Sequence, residues 1–471
     1  MKINWTYIAF FLIIAPTLLY FCCANQGLWW DETVYLGLGR NILEGQGYFI
    51  NLHQDSFRPP LFAYMTAGIW SIFGVSESLV RALPPLFAIL AAFSALFLAR
   101  KLYWTGVGTW AILLLGTSPL FLFYSERFLT ESLFVLLTTL SLLFFYMGTR
   151  PKARAWHLPL AGALAGLAFL TRYAGGLLIL VYILYPLALL VKERSLKKSL
   201  FRNKSYWLGL ALFALLLLPW MGLSQAYYGS PFGALSPQGE SVSGEWYGGP
   251  WWFYFQNWTE IFGLAGLFAV PGVAAMVYRR RDSDILLLLT LAVTLGFFML
   301  IVRKELRYLI HFFSFYYLAA ALGIDELAGW VKRRGIQYLV PAAAALLIGL
   351  NLFAGIQMVQ GGIYSASALR EAGLWLAGQD GAAIMSNNVP PLHYYTGRLV
   401  HYFPEDQAHL APNITAHGIS HIVLEYWEPT YPGYVWDARD GERAPSGIFE
   451  GFTLERVFEE YGRATVWVYR V

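Results

Sequence analysis

Two cysteines, adjacent at Cys22 and Cys23, make up the whole thiol complement of the 471-residue chain. That excludes a disulfide framework and a cysteine-based zinc site. Charge is scarce as well: Asp, Glu, Lys and Arg form 13% of the residues, against about 25% in an average soluble domain. Hydrophobic residues reach 57% and aromatic ones 17%. A chain of that composition cannot hide its apolar surface in one soluble core, so neither an ordinary soluble enzyme nor a disordered chain fits. There is no P-loop and no GxGxxG, which weighs against a nucleotide-driven pump and a Rossmann-type nucleotide-sugar enzyme. HExxH is missing too. The one DxD, Asp282-Ser283-Asp284, follows three arginines and reads as a solvated loop that balances their charge. No cofactor is implied and a divalent metal stays open. The net charge of +4 is small, and nothing points to nucleic acid.

What is present is a series of long windows without Asp, Glu, Lys or Arg: 3–30, 59–76, 82–99, 102–125, 132–149, 155–171, 173–191, 205–239, 261–278, 285–302, 308–324 and 335–369. A membrane span needs about 20 apolar residues. Window 59–76 opens on Pro59-Pro60 and contains Gly68 and Gly74, so it reads as an interfacial or re-entrant helix. The others predict an α-helical polytopic membrane protein of about eleven transmembrane helices. With the N-terminus in the cytoplasm, most strong basic clusters fall on the cytoplasmic side, the trio Arg303, Lys304 and Arg307 excepted. The first window reads as a retained signal anchor, with Cys22 and Cys23 as small apolar residues of its end.

The expected organisation is a transmembrane domain over 1–358, whose first outer loop (about 24–77) carries interfacial helices, and a small extracytoplasmic α/β domain over 359–471. In the latter, 367–379 predicts an amphipathic helix, and 382–386, 421–427 and 464–471 predict strands. The protein is thus expected in the cell (plasma or inner) membrane, multi-pass, with its C-terminal domain outside.

Four groups carry candidate chemistry. Asp31-Glu32 follows Trp29-Trp30 at the outer interface, as a hydrated helix cap or as a general base. Glu126 and Glu131 flank Arg127; Glu131 starts a span, where a carboxylate also suits the helix N-terminus. Arg58, Arg81, Arg172 and Arg307 share that outer side, as headgroup anchors or as a phosphate site, since guanidinium forks match phosphate. His53 and His311 read most simply as ordinary hydrogen-bonding histidines, with His53, Glu126 and Tyr308 as candidate substrate contacts.

The order of WWDETVYLGLGRNILEGQGY, RPPLFAYMTAGIWSIFGVSESLVRALP, YSERFLTESL, TRYAGGLLI and ELRYLIHFF resembles the membrane glycosyltransferases of the GT-C superfamily. Within it the chain is similar to glycosyltransferase family 39 and its prokaryotic relatives, which include protein O-mannosyltransferases and aminoarabinose transferases acting on lipid A. The resemblance covers about residues 5–325, and SNNVPPLHYYTGR at 386–398 resembles the extracytoplasmic domain of bacterial and archaeal members. WWDE also resembles the WWDYG motif of oligosaccharyltransferases, but that motif belongs to a C-terminal domain, so the match is rejected.

The resemblance implies transfer of a sugar from a polyprenyl-phosphate carrier to a hydroxyl of a lipid, glycan or protein at the outer face, by inverting displacement. It assigns the essential acidic residue of the first outer loop to Asp31, with Glu32 beside it, and the lipid-phosphate contacts to Arg58, Arg81 and Arg307. Where many relatives carry Asp after the third span, this chain has Glu131. The alternatives are a transporter or flippase for a lipid-linked sugar, which more often shows inverted repeats and mid-membrane charges, and a non-catalytic membrane binding protein.

Overall fold

The computed structural model describes residues 14, 24, 27–51, 53–54, 58–193, 200–236, 248–336, 338–439 and 442–471. The expected first span, with Cys22 and Cys23, lies outside the described residues. The chain divides into two compact units. Unit 1 comprises 1–23, 56–62 and 81–360; unit 2 comprises 24–55, 63–80 and 361–471. The first outer segment therefore folds largely with the tail, whereas the sequence reading grouped it with the spans.

Unit 1 is helical. Among the described residues seven helices are long and apolar enough to cross a membrane, and the pair Thr105–Gly116 and Pro119–Ser125, bent by 60°, makes an eighth if it is one span. Three further windows fall on shorter apolar helices, Leu61–Phe73, His157–Phe169 and Leu264–Arg279. The chain is a multi-pass membrane protein; the described residues, which leave out most of the first window, do not by themselves fix the count at eleven. A charge-free window records only that nothing polar interrupts it; helix length is set by breakers such as Pro119 and by turns. Leu61–Phe73, in the window read as interfacial or re-entrant and not counted among the eleven, has 13 residues and so extends about 20 Å, short of the roughly 30 Å hydrocarbon core.

Small residues let these helices approach closely. A Cβ at Gly162 would lie 1.9 Å from the carbonyl oxygen of Gly209, so helices His157–Phe169 and Lys204–Tyr228 touch backbone to backbone. The DxD does pair with basic residues: Asp282 with Lys192 at 2.7 Å and Asp284 with Arg279 at 3.1 Å. Asp284 is nevertheless fully buried and accepts from the Arg281 N–H at 2.9 Å. It caps its helix instead of lying in a solvated loop.

Among the described residues unit 2 contains nine strands: β1 (Phe49–Ile50), β2 (His53–Gln54), β3 (Ile384–Met385), β4 (Val400–His401), β5 (His421–Glu425), β6 (Trp436–Arg439), β7 (Glu442–Pro445), β8 (Thr453–Glu460) and β9 (Arg463–Arg470). The main sheet has the order β4-β3-β5-β9-β8. β3 runs parallel to β4 and β5, and β9 runs antiparallel to β5 and β8. β5 reads as a continuous apolar run because both of its faces are covered. On one face Val423 packs with Leu369 and Leu376 of helix Ser367–Ala377; on the other Ile422 and Leu424 pack with Met385, Phe403 and Tyr431. The predicted amphipathic helix and three strands are all present.

The edge strand β4 is closed by one side chain. Asn51, at φ 49°, donates through Nδ2 to the Val400 carbonyl and accepts from the Val400 N–H through Oδ1, both at 2.8 Å. Its amide thus acts as a strand neighbour and ties the first outer segment to the sheet. Asn51→Ala removes a buried donor and acceptor at once and is expected to cost about 1–3 kcal/mol. Asn51→Asp keeps the shape but cannot donate, and is expected to be no better. Thermal denaturation of the purified protein in detergent checks this; an unchanged midpoint for both variants would remove the clamp.

Candidate active site

Helix Glu131–Gly148 is apolar along most of its length but opens on a carboxylate. Glu131 is fully buried, and a charge there needs a partner as well as the helix N-terminus. Arg172 supplies it. This residue follows helix His157–Phe169 and adopts extended backbone (φ −151°, ψ 135°) before the turn Tyr173–Gly176. Its Nη2 lies 2.5 Å from Glu131 Oε1, and its Nε donates to Thr130 Oγ1 at 2.7 Å. The Arg172 side chain keeps 19% exposure, so one edge of the pair is open. The other carboxylate oxygen, Oε2, is buried with no hydrogen-bond partner among the described residues. Such an acceptor is costly to leave unmade and marks a candidate substrate or water position.

A second polar group lies at residues 303–308. Glu305 receives Arg303 at 2.6 Å and Arg307 at 2.5 Å, and the Tyr308 hydroxyl donates to it at 3.1 Å. Burial works against the Glu305 charge, but Arg307 and Arg303 outweigh it and hold the carboxyl below its usual range. Lys304 turns the other way: its ammonium donates to the carbonyls of Phe298, Met299 and Ile301 and so caps helix Asp282–Leu300. The exceptional outer basic trio therefore splits. Two arginines converge on one glutamate, and the lysine closes a helix end.

The two groups belong together. Tyr124 lies within electrostatic range of Arg307, Glu131, Glu305 and Arg172, and His311 within range of Arg172 and Arg307. His311 packs edge-on against Phe134, one turn along the Glu131 helix, at 5.0 Å. Both of its ring nitrogens are buried, with the Tyr308 backbone within reach of the ring. Arg58 is half-buried, and its segment is drawn towards the same group. The Leu61 N–H donates to the Leu170 carbonyl at 2.9 Å, and Phe62 stacks on Phe128 at 4.7 Å. Glu126 and Arg127 are both fully buried, 4.0 Å apart. Arg81 is half-buried and ends the five-residue helix Glu77–Arg81.

The remaining nominees belong to unit 2. Helix Trp30–Leu43 carries Asp31 and Glu32 in its first turn. Glu32 is fully buried and folds back to accept from the Trp29 N–H at 2.7 Å, which is a capping contact. Asp31, about 100° further round the helix, is half-buried. His53 lies in β2. Glu305, Thr130 and Tyr124 were not singled out from the sequence. Glu305 was detectable, because a lone carboxylate among Arg303, Lys304 and Arg307 is a natural hub; Thr130 and Tyr124 carry no comparable signal. Among the described residues no three His, Cys, Asp or Glu side chains come together as a metal set.

Comparison with known proteins agrees with this architecture. The family described as dolichyl-phosphate-mannose-protein mannosyltransferase matches residues 57–222. No curated protein matches the chain by sequence. Among solved structures, the chain is similar to ArnT from Cupriavidus metallidurans bound to undecaprenyl phosphate, with a TM-score of 0.72 at 13% identity, covering 98% of this chain and 97% of that one. It is similar to the archaeal oligosaccharyltransferase AglB from Archaeoglobus fulgidus, in complex with an inhibitory peptide and a dolichol-phosphate. There the TM-score is 0.65 at 13% identity, over 90% of this chain and 70% of that one. A third likeness is to the arabinofuranosyltransferase AftD from Mycobacteria, with a TM-score of 0.59 at 14% identity, covering 100% of this chain and 40% of that one. The fold is that of the GT-C superfamily. Within it, the helical unit is similar to the mannosyltransferase family over the matched residues.

Two outcomes test the polar groups. Arg172→Ala leaves the Glu131 charge buried and unpaired, which is expected to cost about 3–5 kcal/mol. Adding Glu131→Gln removes that charge and is expected to recover much of the loss, as read by thermal denaturation in detergent. If the double variant is no more stable than the single one, packing and not charge governs the position.

Glu305 gives a pH signature. Because its folded pKa is depressed, its contribution is complete above the usual glutamate value of about 4.3 and is lost as pH falls through the lower folded value. The melting-temperature gap between wild type and Glu305→Gln is expected to be full at pH 7 and to close below that range. A gap that does not change with pH would overturn the assignment.

Proposed function

We propose that this protein is a polyprenyl-phosphate-dependent glycosyltransferase of the membrane. The observation that carries the reading is the set of arginines, carboxylates and a buried histidine gathered within an otherwise apolar helical unit. The GT-C fold and the mannosyltransferase family match support it. Undecaprenyl phosphate and dolichol-phosphate in two structures of similar fold support a lipid-phosphate carrier as the donor. The protein transfers a hexosyl or pentosyl unit to a hydroxyl of a lipid, glycan or protein acceptor.

In the reaction the acceptor oxygen attacks the anomeric carbon, and the bond from that carbon to the phosphate oxygen breaks. The polyprenyl phosphate leaves with the electron pair, and the configuration inverts. Asp31 takes the proton of the acceptor hydroxyl. Arg58, Arg81 and Arg307 hold the phosphate and stabilise the charge that grows on it. Arg172 is already engaged by Glu131 and Thr130, so its part is to fix that pair at the edge of the donor site. No nucleotide is needed, because the lipid phosphate is itself an adequate leaving group. The N-terminus lies in the cytoplasm and the C-terminal domain outside.

The purified protein in lipid is given labelled polyprenyl-phosphate sugar and an acceptor, with donor binding measured separately. Asp31→Asn is expected to bind donor normally and to lose transfer by about 10²–10⁴-fold, the usual share of a general base. Glu32→Gln is expected to act chiefly on stability, through the lost cap. Arg307→Ala is expected to weaken donor binding or turnover by roughly ten- to hundredfold, for about 1.5–3 kcal/mol of charge-assisted contact. Near-normal transfer by Asp31→Asn moves the base to Glu131. For orientation, a cysteine at Glu405 should react with an impermeant thiol reagent from outside, and one at Lys197 should not.

A further inference from the structure

Unit 2 holds a cavity of about 410 Å³ that the donor chemistry does not use. That lies within the usual range of small-molecule sites, about 300–1,000 Å³. Its walls include Trp30, Trp427, Asn388, Glu425, Glu428 and Glu460. Asn388 and the three glutamates are each more than nine-tenths buried: Asn388 is 7% exposed, Glu425 6%, Glu428 8% and Glu460 6%. The elements that place them are rigid. Glu425 ends the central strand β5, Glu460 ends β8, and Asn388 precedes helix Val389–Thr396. The mouth is pinned as well. A Cβ at Gly27 would lie 2.3 Å from the Ala366 carbonyl, so only glycine lets the chain pass there. Next to it, Trp29 Nε1 donates to Ser365 Oγ at 2.8 Å.

The polar walls are arranged as acceptors. Asn388 Nδ2 reaches Glu425 Oε2 at 3.4 Å, which leaves Asn388 Oδ1 buried with no partner among the described residues. Glu428 is held in place by the Thr430 N–H at 3.0 Å and the Thr430 hydroxyl at 2.6 Å. Burial pushes Glu425 up to about 8, so at neutral pH its carboxyl is mostly protonated and donates as well as accepts. No lysine, arginine or histidine lines the cavity. An anion would meet no cationic side chain among the described residues. The carboxyls do not form a metal set. Indole faces offer apolar area to the flat side of a ring.

We infer that this cavity is an acceptor-side saccharide subsite, which takes a sugar ring bearing hydroxyl or amine donors and no anionic group. The ring packs against the indole walls and one of its donors satisfies Asn388 Oδ1. Trp30 precedes Asp31 directly, so a ring held there stands beside the first turn of the helix that carries the proposed base. Its role as acceptor site rests on the transferase reading; saccharide binding itself does not.

The test uses the full-length protein in nanodiscs. Tryptophan fluorescence is titrated with a neutral hexose trisaccharide, with deacetylated chitotriose and with trigalacturonate. Saturable binding of the neutral or the amino sugar, and at least tenfold weaker binding of the acid, is expected. Asn388→Leu should reduce that binding at least tenfold. Trp427→Ala should do the same and carries little folding risk, since Trp427 is 55% exposed. In the transfer assay both variants should raise the acceptor KM at least tenfold and leave donor affinity unchanged. Equal binding of the acidic trisaccharide, no binding of any of the three, or an unaltered acceptor KM in both variants overturns the proposal. If the wild-type protein shows no transfer, the activity reading falls while the subsite is still judged by the titration. Transfer with wild-type KM in both variants sinks the subsite and leaves the transferase standing.

Discussion

A carboxylate cannot stay ionised in an apolar helical bundle without an opposite charge at hydrogen-bond distance, and the Glu131–Arg172 pair answers that requirement. Much of the nearby structure follows from it. Helix His157–Phe169 ends early enough for Arg172 to swing across in extended backbone. Thr130 takes the second guanidinium donor, which fixes the plane of the fork. Phe134, one turn along the Glu131 helix, packs edge-on against His311. The Glu131 Oε2 left without a partner among the described residues is then a cost that a merely structural ion pair would not need to carry.

The group around Glu305 solves the converse problem. Two arginines held close together repel, and a single carboxylate between them removes the repulsion while keeping both guanidinium groups partly exposed. Net positive charge remains there, which is what a phosphate requires. Unit 2 shows the opposite polarity. Its cavity is lined by acceptors and glutamates and contains no cation.

The structural likenesses run at 13–14% identity, and at that level they speak for the arrangement of helices and not for the chemistry of any residue. What distinguishes this chain has to be read from its own side chains. The acidic residue at the fourth predicted span is Glu131 and not Asp, and it is paired. Of the two consecutive acids in the first outer segment, Glu32 is spent on the cap of its helix.

The membrane class was legible in the sequence because scarcity of charge is a property of composition, and β5 because a short unbroken run of β-branched and aliphatic residues has few other uses. Asp31, Glu131 and the arginines could be nominated for a similar local reason: ionisable groups beside apolar windows are conspicuous. Their partners were not legible. Glu131 meets Arg172 across 41 residues, and Asn51 meets Val400 across 349. Nothing in local spacing encodes such a separation. Helix lengths also escaped, since a charge-free window does not show where Pro119 bends the chain. The cavity near Trp30 drew no attention at all, because Asn388, Glu425, Glu428 and Glu460 are ordinary residues in sequence. By itself, then, the sequence determined the solvent this protein folds in and which residues had charge to dispose of. Only the tertiary structure decided which charges neutralise one another and which polar atoms are left for a ligand, because both depend on packing between segments far apart in the chain.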